Sequence, residues 1–170
     1  MTAAISAAFS TVGSVRKSVL VRAPRAIAFE VFTANIAAWW PMVSHHIGAA
    51  DCADVRIEPR VGGRWFERGT DGSECDWGHV LAWEAPARVV LAWQLNAKFD
   101  HDPAIQSEVE VRFIALDAAR TQVELEHRGL EVFGADAAAM HDTFSAPNGW
   151  GGMLEHYAEV ASARGTPADA

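Results

Sequence analysis

Residues 61–94 read VGGRWFERGTDGSECDWGHVLAWEAPARVVLAWQ and hold four of the seven tryptophans of this 170-residue chain. Three segments of alternating side chains are separated by turn signals at residues 70–73 and 85–86. This pattern predicts an antiparallel β-meander that carries large aromatic side chains. Because a strongly curved sheet of this kind encloses a cavity, the expected fold and the expected site both start from this stretch.

The composition of the whole chain is typical of a folded domain. Half of the residues are hydrophobic and 21% are charged, and the length suits a single domain with a real core. The formal net charge is −8 and no basic stripe is present, which argues against nucleic-acid binding, since that relies on clustered lysine and arginine. No run reaches the ~18 apolar residues of a membrane span. We therefore expect no nucleic-acid partner and no membrane span.

The two ends of the chain are expected to lie outside the folded domain. Residues 1–13 lack the charged start and the long apolar run of a signal peptide, so we interpret them as a disordered leader. We interpret residues 165–170 as a disordered tail. Cys52 and Cys75 form no CxxC pair, which favours free thiols, with a single disulfide as the alternative. These features predict a cytoplasmic protein with one domain over residues 14–164.

Helical and strand periodicities alternate in a defined order along the chain. Pro24 precedes a helical segment in the manner of a first-turn proline. Strands are predicted at residues 15–22, 55–57, 64–68, 76–84, 88–95, 109–113 and 121–128, and helices at residues 26–34, 36–40, 136–144 and 147–164. Helices that are segregated from an antiparallel run of strands indicate an α+β domain.

The last predicted helix has one broad apolar face. Trp150, Met153, Leu154, Tyr157 and Val160 recur at spacings of three and four residues, so they share one side of the helix. Such a face must be buried, and the sheet is the surface that can bury it. The sequence therefore predicts a curved antiparallel sheet of about six to seven strands wrapped around a long C-terminal helix, with two short helices after the first strand.

Several short segments of the chain carry a resemblance to a known family. They are residues 24–32 (PRAIAFEVF), 39–41 (WWP), 57–65 (IEPRVGGRW), 77–80 (WGHV), 84–90 (EAPARVV) and 149–150 (GW), with Leu154. These segments resemble the START-like and pollen-allergen-like helix-grip (SRPBCC) superfamily, and within it the family of the heat-shock protein 90 ATPase activator, bacterial single-domain type. The resemblance covers residues 15–164 and implies a cavity between the sheet and the long helix. It also implies that the protein acts as a carrier of hydrophobic ligands, a cyclase, a hydrolase or a co-chaperone module.

His127 is the most informative candidate for catalysis. It falls in register with Thr121, Val123 and Leu125, so its side chain is expected to point to the interior of the sheet. An inward histidine can be a polar anchor or general base at a cavity wall. The alternative is a structural histidine at a strand end, bonded to backbone or water.

His79 and Glu67 are two further catalytic candidates. Simple alternation places His79 on the same face as Trp77, although the opposite face of that strand is apolar too. Glu67 shares a face with Trp65, where an apolar setting would suit an acid or base. The interpretation that we favour is that Glu67 pairs with an arginine on a neighbouring strand.

The aromatic strands and the last helix together predict a pocket for a small hydrophobic or aromatic molecule. The predicted ligand-binding residues are Trp39, Trp40, Trp65, Trp77, His79, Trp93, His127, Trp150, Leu154 and Tyr157. His45, His46 and Cys52 lie in a predicted loop at residues 43–53, but their spacing matches no zinc pattern, so we predict no metal and no cofactor. The loop is expected to cover the mouth of the cavity.

Three functions are consistent with these residues. The first is a non-enzymatic or weakly catalytic binding domain for a small hydrophobic molecule, with a regulatory or stress-related role as one option. The second is an enzyme of the cyclase or hydrolase type, and the third is a chaperone-interacting module. A homodimer is an open alternative, since an antiparallel sheet has edge strands that can pair.

Overall fold

The structure is a computed structural model that describes residues 12–165, so the predicted leader and tail lie almost wholly outside the described residues. The strands are β1 (Val15–Val21), β2 (Cys52–Ile57), β3 (Arg64–Gly69), β4 (Glu74–Glu84), β5 (Arg88–Trp93), β6 (Ser107–Asp117) and β7 (Arg120–Arg128). The α-helices are α1 (Arg25–Phe32), α2 (Ala137–Ser145) and α3 (Trp150–Gly165), and 3₁₀ segments lie at Ile36–Ala38 and Leu130–Asp136.

The described strands form one antiparallel sheet of seven strands in the order β1-β7-β6-β5-β4-β3-β2. Strands β2 to β7 pair with their chain neighbours, whereas β1 pairs with β7 and places Val15 opposite His127. The predicted α+β helix-grip architecture, with a curved sheet and a long C-terminal helix, is confirmed. None of the described helices combines the length and the apolar character that crossing a bilayer requires.

The strand β7 shows how the sequence pattern becomes burial. Its even positions, from Gln122 to Glu126, are half-buried, whereas Thr121, Val123, Leu125 and His127 are buried. Period-two alternation therefore puts one apolar row against the helices and one polar row on the outer face. His127 points to the interior, as predicted.

A β-bulge interrupts this alternation in β4. Trp65 lies opposite Gly78 and Phe66 lies opposite Asp76, so Trp77 has no partner on β3. A Cβ added at Gly78 would lie 1.7 Å from the carbonyl oxygen of Ala92, so only glycine allows this close approach of β4 to β5. Bulges bend a strand and raise its local twist, which suits a strand in the middle of a curved sheet.

The interior of the domain is solid at one end. Tyr157 of α3 donates a hydrogen bond from its hydroxyl to the Ala28 carbonyl of α1 at 2.6 Å. Its ring packs edge-on against Phe32 and Trp39, with centroids 5.3 Å away in each case, and Leu154 is fully buried nearby on the same helix face. The middle of α3, at Leu154 and Tyr157, is thus packed closely against α1 and the sheet.

Several element bounds differ from the prediction. The second short helix ends at Ala38, because Trp39 and Trp40 turn inward with their indole N–H groups bonded to the backbone. β2 begins at Cys52, inside the predicted loop, since pairing with β3 extends it. The 3₁₀ segment at Leu130–Asp136 was not predicted, because it is short and follows no clear apolar period.

Candidate functional site

A cavity of about 400 Å³ lies between the concave face of the sheet, α2 and the first turn of α3. Its wall is largely aromatic, and the residues that form it come from every layer of the fold. They are the aromatic residues Trp40, Trp77, Trp93, Phe99, Phe144 and Trp150, together with Ile47, Leu95 and Met153. A mostly apolar cleft of this volume is typical of small-molecule sites.

The polar lining residues are concentrated at the rim of this cavity. Ser44, His45, His46, Thr143 and Asn148 line it and are half-buried or exposed, whereas most of the aromatic wall is buried. No lysine, arginine, aspartate or glutamate among the described residues lines the cavity. The site therefore offers a neutral interior with a few hydrogen-bonding groups at its entrance.

The turn between α2 and α3 brings two wall residues together. A Cβ at Gly149 would lie 2.4 Å from the Phe144 carbonyl oxygen, so glycine is needed for the chain to pass this close. Directly after this turn, Trp150 begins α3 and points into the domain. Phe144 and Trp150 thus line the same cavity from two helices, and Gly149 allows the chain between these helices to pass close to the end of α2.

Glu67 fixes the segment that forms the opposite side of the rim. Its side chain is 1% exposed, and Oε1 accepts hydrogen bonds from the Ile47 amide at 2.5 Å and from Trp77 Nε1 at 2.9 Å. Oε2 accepts the Gly48 amide at 3.2 Å, and His46 Nδ1 lies 3.9 Å away. The favoured pairing of Glu67 with an arginine is wrong. Backbone and indole donors take that place, because the strand turns Glu67 inward under the loop.

His45 joins the two sides of the rim. Its Nε2–H donates to the Asn148 carbonyl at 2.9 Å, and its Nδ1 lies 2.7 Å from the Ser44 hydroxyl. The His45 carbonyl in turn accepts the indole N–H of Trp40 at 2.8 Å. The segment at residues 44–48 is therefore tied to the wall, to the turn before α3 and to Glu67, and it covers the cavity as expected.

His127 lies behind the aromatic wall and is fully buried. Trp150 Nε1–H donates to His127 Nδ1 at 3.1 Å, and an indole can only donate. His127 is therefore neutral with its proton on Nε2, which donates to Ser107 Oγ at 2.8 Å. The Ser107 hydroxyl lies 3.5 Å from the Trp93 carbonyl, which completes the chain of donors and acceptors.

This network makes His127 a support for the wall. Burial lowers the pKa of His127 to about 3, because a charged imidazolium would have to give up its hydration in an apolar site. Its ring also packs on Phe144 with centroids 4.3 Å apart. Both ring nitrogens of His127 are hydrogen-bonded, and the ring does not line the cavity. The role that this geometry supports for His127 is therefore to position Trp150.

His79 lies on the outer face of the sheet. It is opposite Arg64, whose side chain forms ion pairs with Asp76 and Glu74, and its Nδ1 lies 3.2 Å from the Gln94 side-chain oxygen. The shared face with Trp77 that simple alternation predicts is not found, because the bulge at Gly78 reverses the alternation. The isolated glycine in a strand was the signal for this bulge.

The predicted ligand-binding residues separate into four groups. Trp40, Trp77, Trp93 and Trp150 line the cavity. Trp65 and His127 lie directly behind that wall, with ring centroids 5.6 Å and 5.2 Å from Trp93. Trp39, Leu154 and Tyr157 belong to the solid core, and His79 is on the outer face.

Sequence reasoning missed several residues of the cavity wall. Phe99 comes from the loop after β5, and Phe144 and Met153 come from α2 and α3. Phe99 is a lone aromatic residue in a polar loop and adopts a φ of 61°, which is unusual for a bulky side chain. An aromatic residue among polar loop residues was the one available signal. For Phe144 and Met153, helical spacing does not distinguish a cavity wall from a core.

The Glu67 cluster provides the first prediction. Glu67→Ala leaves two backbone N–H groups and one indole N–H without an acceptor, so we expect a loss of unfolding free energy on the order of 3 kcal/mol. Hydrogen exchange of the Ile47 and Gly48 amides, measured by NMR, should accelerate. Glu74→Ala on the neighbouring strand is the control and should leave both amides unchanged. Unaltered exchange of these amides in Glu67→Ala would contradict the role of Glu67.

The pKa of His127 predicts a pH dependence of stability. The unfolded chain binds a proton at His127 below about pH 6.5, whereas the folded protein does so only near pH 3. Between these values the unfolded state holds more protons, so stability falls as the pH decreases, by up to about 1.4 kcal/mol per pH unit. The unfolding free energy of His127→Gln, measured by denaturant unfolding, should therefore change less steeply with pH between pH 6.5 and 4 than that of wild type. His156→Gln, at an exposed histidine, is the control and should keep the wild-type pH dependence. Parallel curves of unfolding free energy against pH for wild type and His127→Gln would contradict the prediction.

Comparisons with known proteins support the same fold. The family model described as "Activator of Hsp90 ATPase homolog 1-like protein" matches residues 22–161. The solved structure of an anthrahydroquino-gamma-pyrone synthase, Txn09, is 37% identical, with 88% of this chain and 97% of that chain covered and a TM-score of 0.63. A self-sacrificing resistance protein, CalC from Micromonospora echinospora, is 28% identical over 92% of this chain and 99% of that chain, with a TM-score of 0.66.

A more distant structure shows the shared fold alone. A Mesorhizobium loti protein is 19% identical, with 90% of this chain and 98% of that chain covered and a TM-score of 0.64. No match was found among curated proteins. The family model covers most of the chain, and its fold often binds hydrophobic ligands. The chain therefore belongs to the family of activator of Hsp90 ATPase homolog 1-like proteins.

Proposed function

We propose that this protein binds a small, flat aromatic molecule in the cavity at the start of α3. The observation that carries the proposal is the wall of six aromatic residues around about 400 Å³, with polar groups at the rim. Burial of aromatic surface against such a wall supplies the affinity, and the few polar groups supply orientation.

The arrangement of the rings favours a planar ligand. Trp93 and Trp150 meet at 69° with centroids 5.9 Å apart, and Trp40 and Trp150 meet at 72° at the same separation. Neighbouring walls are thus steeply inclined to one another. A planar ligand in the corner between two such walls can stack on one ring and present its edge to the other, which are the two arrangements that aromatic pairs prefer.

One of these solved structures supports the same class of ligand. A protein that is 37% identical to this chain is described as an anthrahydroquino-gamma-pyrone synthase, and the name denotes a fused aromatic product. An aromatic wall and an aromatic product in a relative of this similarity are consistent with one ligand class. A shared fold alone would not support this assignment of a ligand class, because one fold serves many functions.

A neutral tricyclic probe provides the test. We expect 1,8-dihydroxyanthraquinone to bind with a dissociation constant on the order of 10 µM or lower, by isothermal titration calorimetry. Thr143 lines the cavity from α2, so Thr143→Trp should narrow the entrance and weaken binding by about tenfold or more. Ala139, one turn earlier on the same helix and outside the lining, supplies the control Ala139→Trp. Absence of binding to wild type, or equal binding by Thr143→Trp, would contradict the proposal.

A second candidate function is ring closure on such a ligand. The observation that favours it is His46, which lines the cavity and bonds the Gly48 carbonyl through Nδ1 at 3.1 Å. No described residue hydrogen-bonds its Nε2, so a neutral His46 with its proton on Nδ1 has a free acceptor at the rim. A nitrogen in this position can accept a phenol proton as a general base. The chaperone-interacting alternative rests on the family name alone.

An o-hydroxyaryl 1,3-diketone tests this second candidate. In 1-(2-hydroxyphenyl)butane-1,3-dione, the phenol oxygen attacks the distal carbonyl and one water is lost, which gives 2-methylchromone. If the protein catalyses this step, chromone formation followed by absorbance should exceed the protein-free rate, and His46→Gln should lower it by about 100-fold. His141→Gln, a change outside the cavity lining, is the control. A rate equal to the protein-free rate would rule out this activity for the probe.

A further inference from the structure

Phe99 differs from the other aromatic residues of the cavity in its backbone conformation. Its φ of 61° lies in the left-handed region, which a bulky side chain rarely occupies. The other described residues with a positive φ are all glycines: Gly62, Gly72, Gly129 and Gly134. The chain thus has glycine at every other place where its described backbone takes a positive φ, since glycine adopts it without strain. A phenylalanine at such a position indicates that the ring itself is needed.

The loop between β5 and β6 holds Phe99 in this conformation. The side-chain oxygen of Asn96 accepts the amide N–H groups of Lys98 and Asp100, at 2.9 and 3.1 Å. The Asn96 carbonyl accepts the Phe99 amide at 2.9 Å, and the Asn96 amide donates to the Asp100 carbonyl at 2.9 Å. These four hydrogen bonds fix the tip of the loop, so the ring of Phe99 is presented to the cavity in a defined position.

The ring of Phe99 is also the part of the aromatic wall that is least buried. Phe99 is 38% exposed, whereas Trp77 and Trp150 are 2% and 1% exposed. Its neighbours Lys98 and Asp100 are exposed and charged, so the loop places an apolar ring among polar groups at the surface. An apolar ligand in the cavity can cover this remaining surface, and the removal of apolar surface from water favours binding.

The other five aromatic residues of the wall form one continuous surface of touching rings. Neighbouring rings of this surface have centroids 4.9 to 5.9 Å apart, in the order Trp77, Trp40, Trp150, Trp93 and Phe144. Phe99 lines the same cavity, but within residues 12–165 its ring packs on no other aromatic ring. Cavity space therefore separates Phe99 from the continuous surface.

We propose that Phe99 is a ligand-binding residue and forms the second face of a stacking site, holding a planar aromatic molecule against the continuous surface of the other five rings. This inference rests on the proposed function, since it names a residue that determines which molecules the same cavity binds. It predicts selection of planar aromatic rings over saturated rings with the same skeleton. A planar ring can meet aromatic side chains on both of its faces, whereas a saturated ring is thicker and has no π face.

The variant Phe99→Gly separates a role in binding from a role in folding, because glycine removes the ring and suits the left-handed backbone. We expect this variant to bind 1,8-dihydroxyanthraquinone at least about fivefold more weakly than wild type, by isothermal titration calorimetry. Relief of the strained backbone should offset the lost contacts of the ring. The midpoint of thermal unfolding without ligand should therefore lie no more than about 2 °C below that of wild type.

Lys98→Gly is the matched control, because it adds a glycine to the same loop at an exposed position outside the cavity lining and keeps Phe99. This control is expected to bind the dihydroxyanthraquinone within about twofold of wild type. If Lys98→Gly weakens binding as much as Phe99→Gly does, the effect belongs to the freedom of the loop, and the role of the Phe99 ring is overturned.

A pair of ligands tests the selection for planar rings. 2-Naphthol and decahydro-2-naphthol share the same carbon skeleton and one hydroxyl group, but only 2-naphthol is planar and aromatic. Wild type is expected to bind 2-naphthol at least about fivefold more tightly than decahydro-2-naphthol, by the same calorimetry. Because Phe99→Gly lacks one of the two stacking faces, the ratio of the two affinities should fall at least about threefold in this variant.

Each further outcome decides between the two proposals. The role of Phe99 is overturned, with the aromatic cavity left in place, by unchanged affinity of Phe99→Gly for the dihydroxyanthraquinone or by an unchanged preference for 2-naphthol. A midpoint of thermal unfolding more than about 2 °C below wild type would make Phe99 a structural residue and would overturn the inference too. If neither the dihydroxyanthraquinone nor 2-naphthol binds to wild type, the proposed function itself fails, and this inference fails with it.

Discussion

The buried carboxylate of Glu67 is the interaction on which the cavity depends. It accepts the amides of Ile47 and Gly48 and the indole N–H of Trp77, so one side chain joins the covering segment to the aromatic wall. Removal of a buried acceptor leaves its donors unpaired, which costs more than the bond itself contributes. The covering segment therefore has one low-energy position, and the cavity has a defined rim.

A second polar cluster supports the wall from behind. His127 accepts the indole of Trp150 and donates to Ser107, and a fully satisfied network of this kind favours one arrangement of the rings around it. Glu67 and His127 were both candidates for catalysis on sequence grounds. The structure places both as anchors of tryptophans that line the cavity, which leaves the polar residues of the rim as the hydrogen-bonding groups that can meet a ligand.

The fold could be predicted from the sequence further than the site could. Alternation in β7 placed His127 in the interior, and the apolar face of α3 implied a sheet to cover it. The same rules failed for His79, because the bulge at Gly78 changes the phase of alternation after Trp77. They also failed for Phe99 and Phe144, because periodicity within one element does not reveal which elements meet at a common cavity.

The sequence by itself determined the α+β architecture, the inward row of β7 and the abundance of aromatic rings, since these follow from local periodicity and composition. Only the tertiary structure decided which rings enclose space. Tyr157 and Trp39 fill the solid end of the domain, whereas Trp150, about two helical turns before Tyr157 on α3, lines the cavity together with Trp93 of β5. The physical reason is that a void arises from how distant elements approach each other, here through the close passage at Gly149 and the bond from Glu67 to the covering segment. The local sequence pattern carries no information on how closely such distant elements approach.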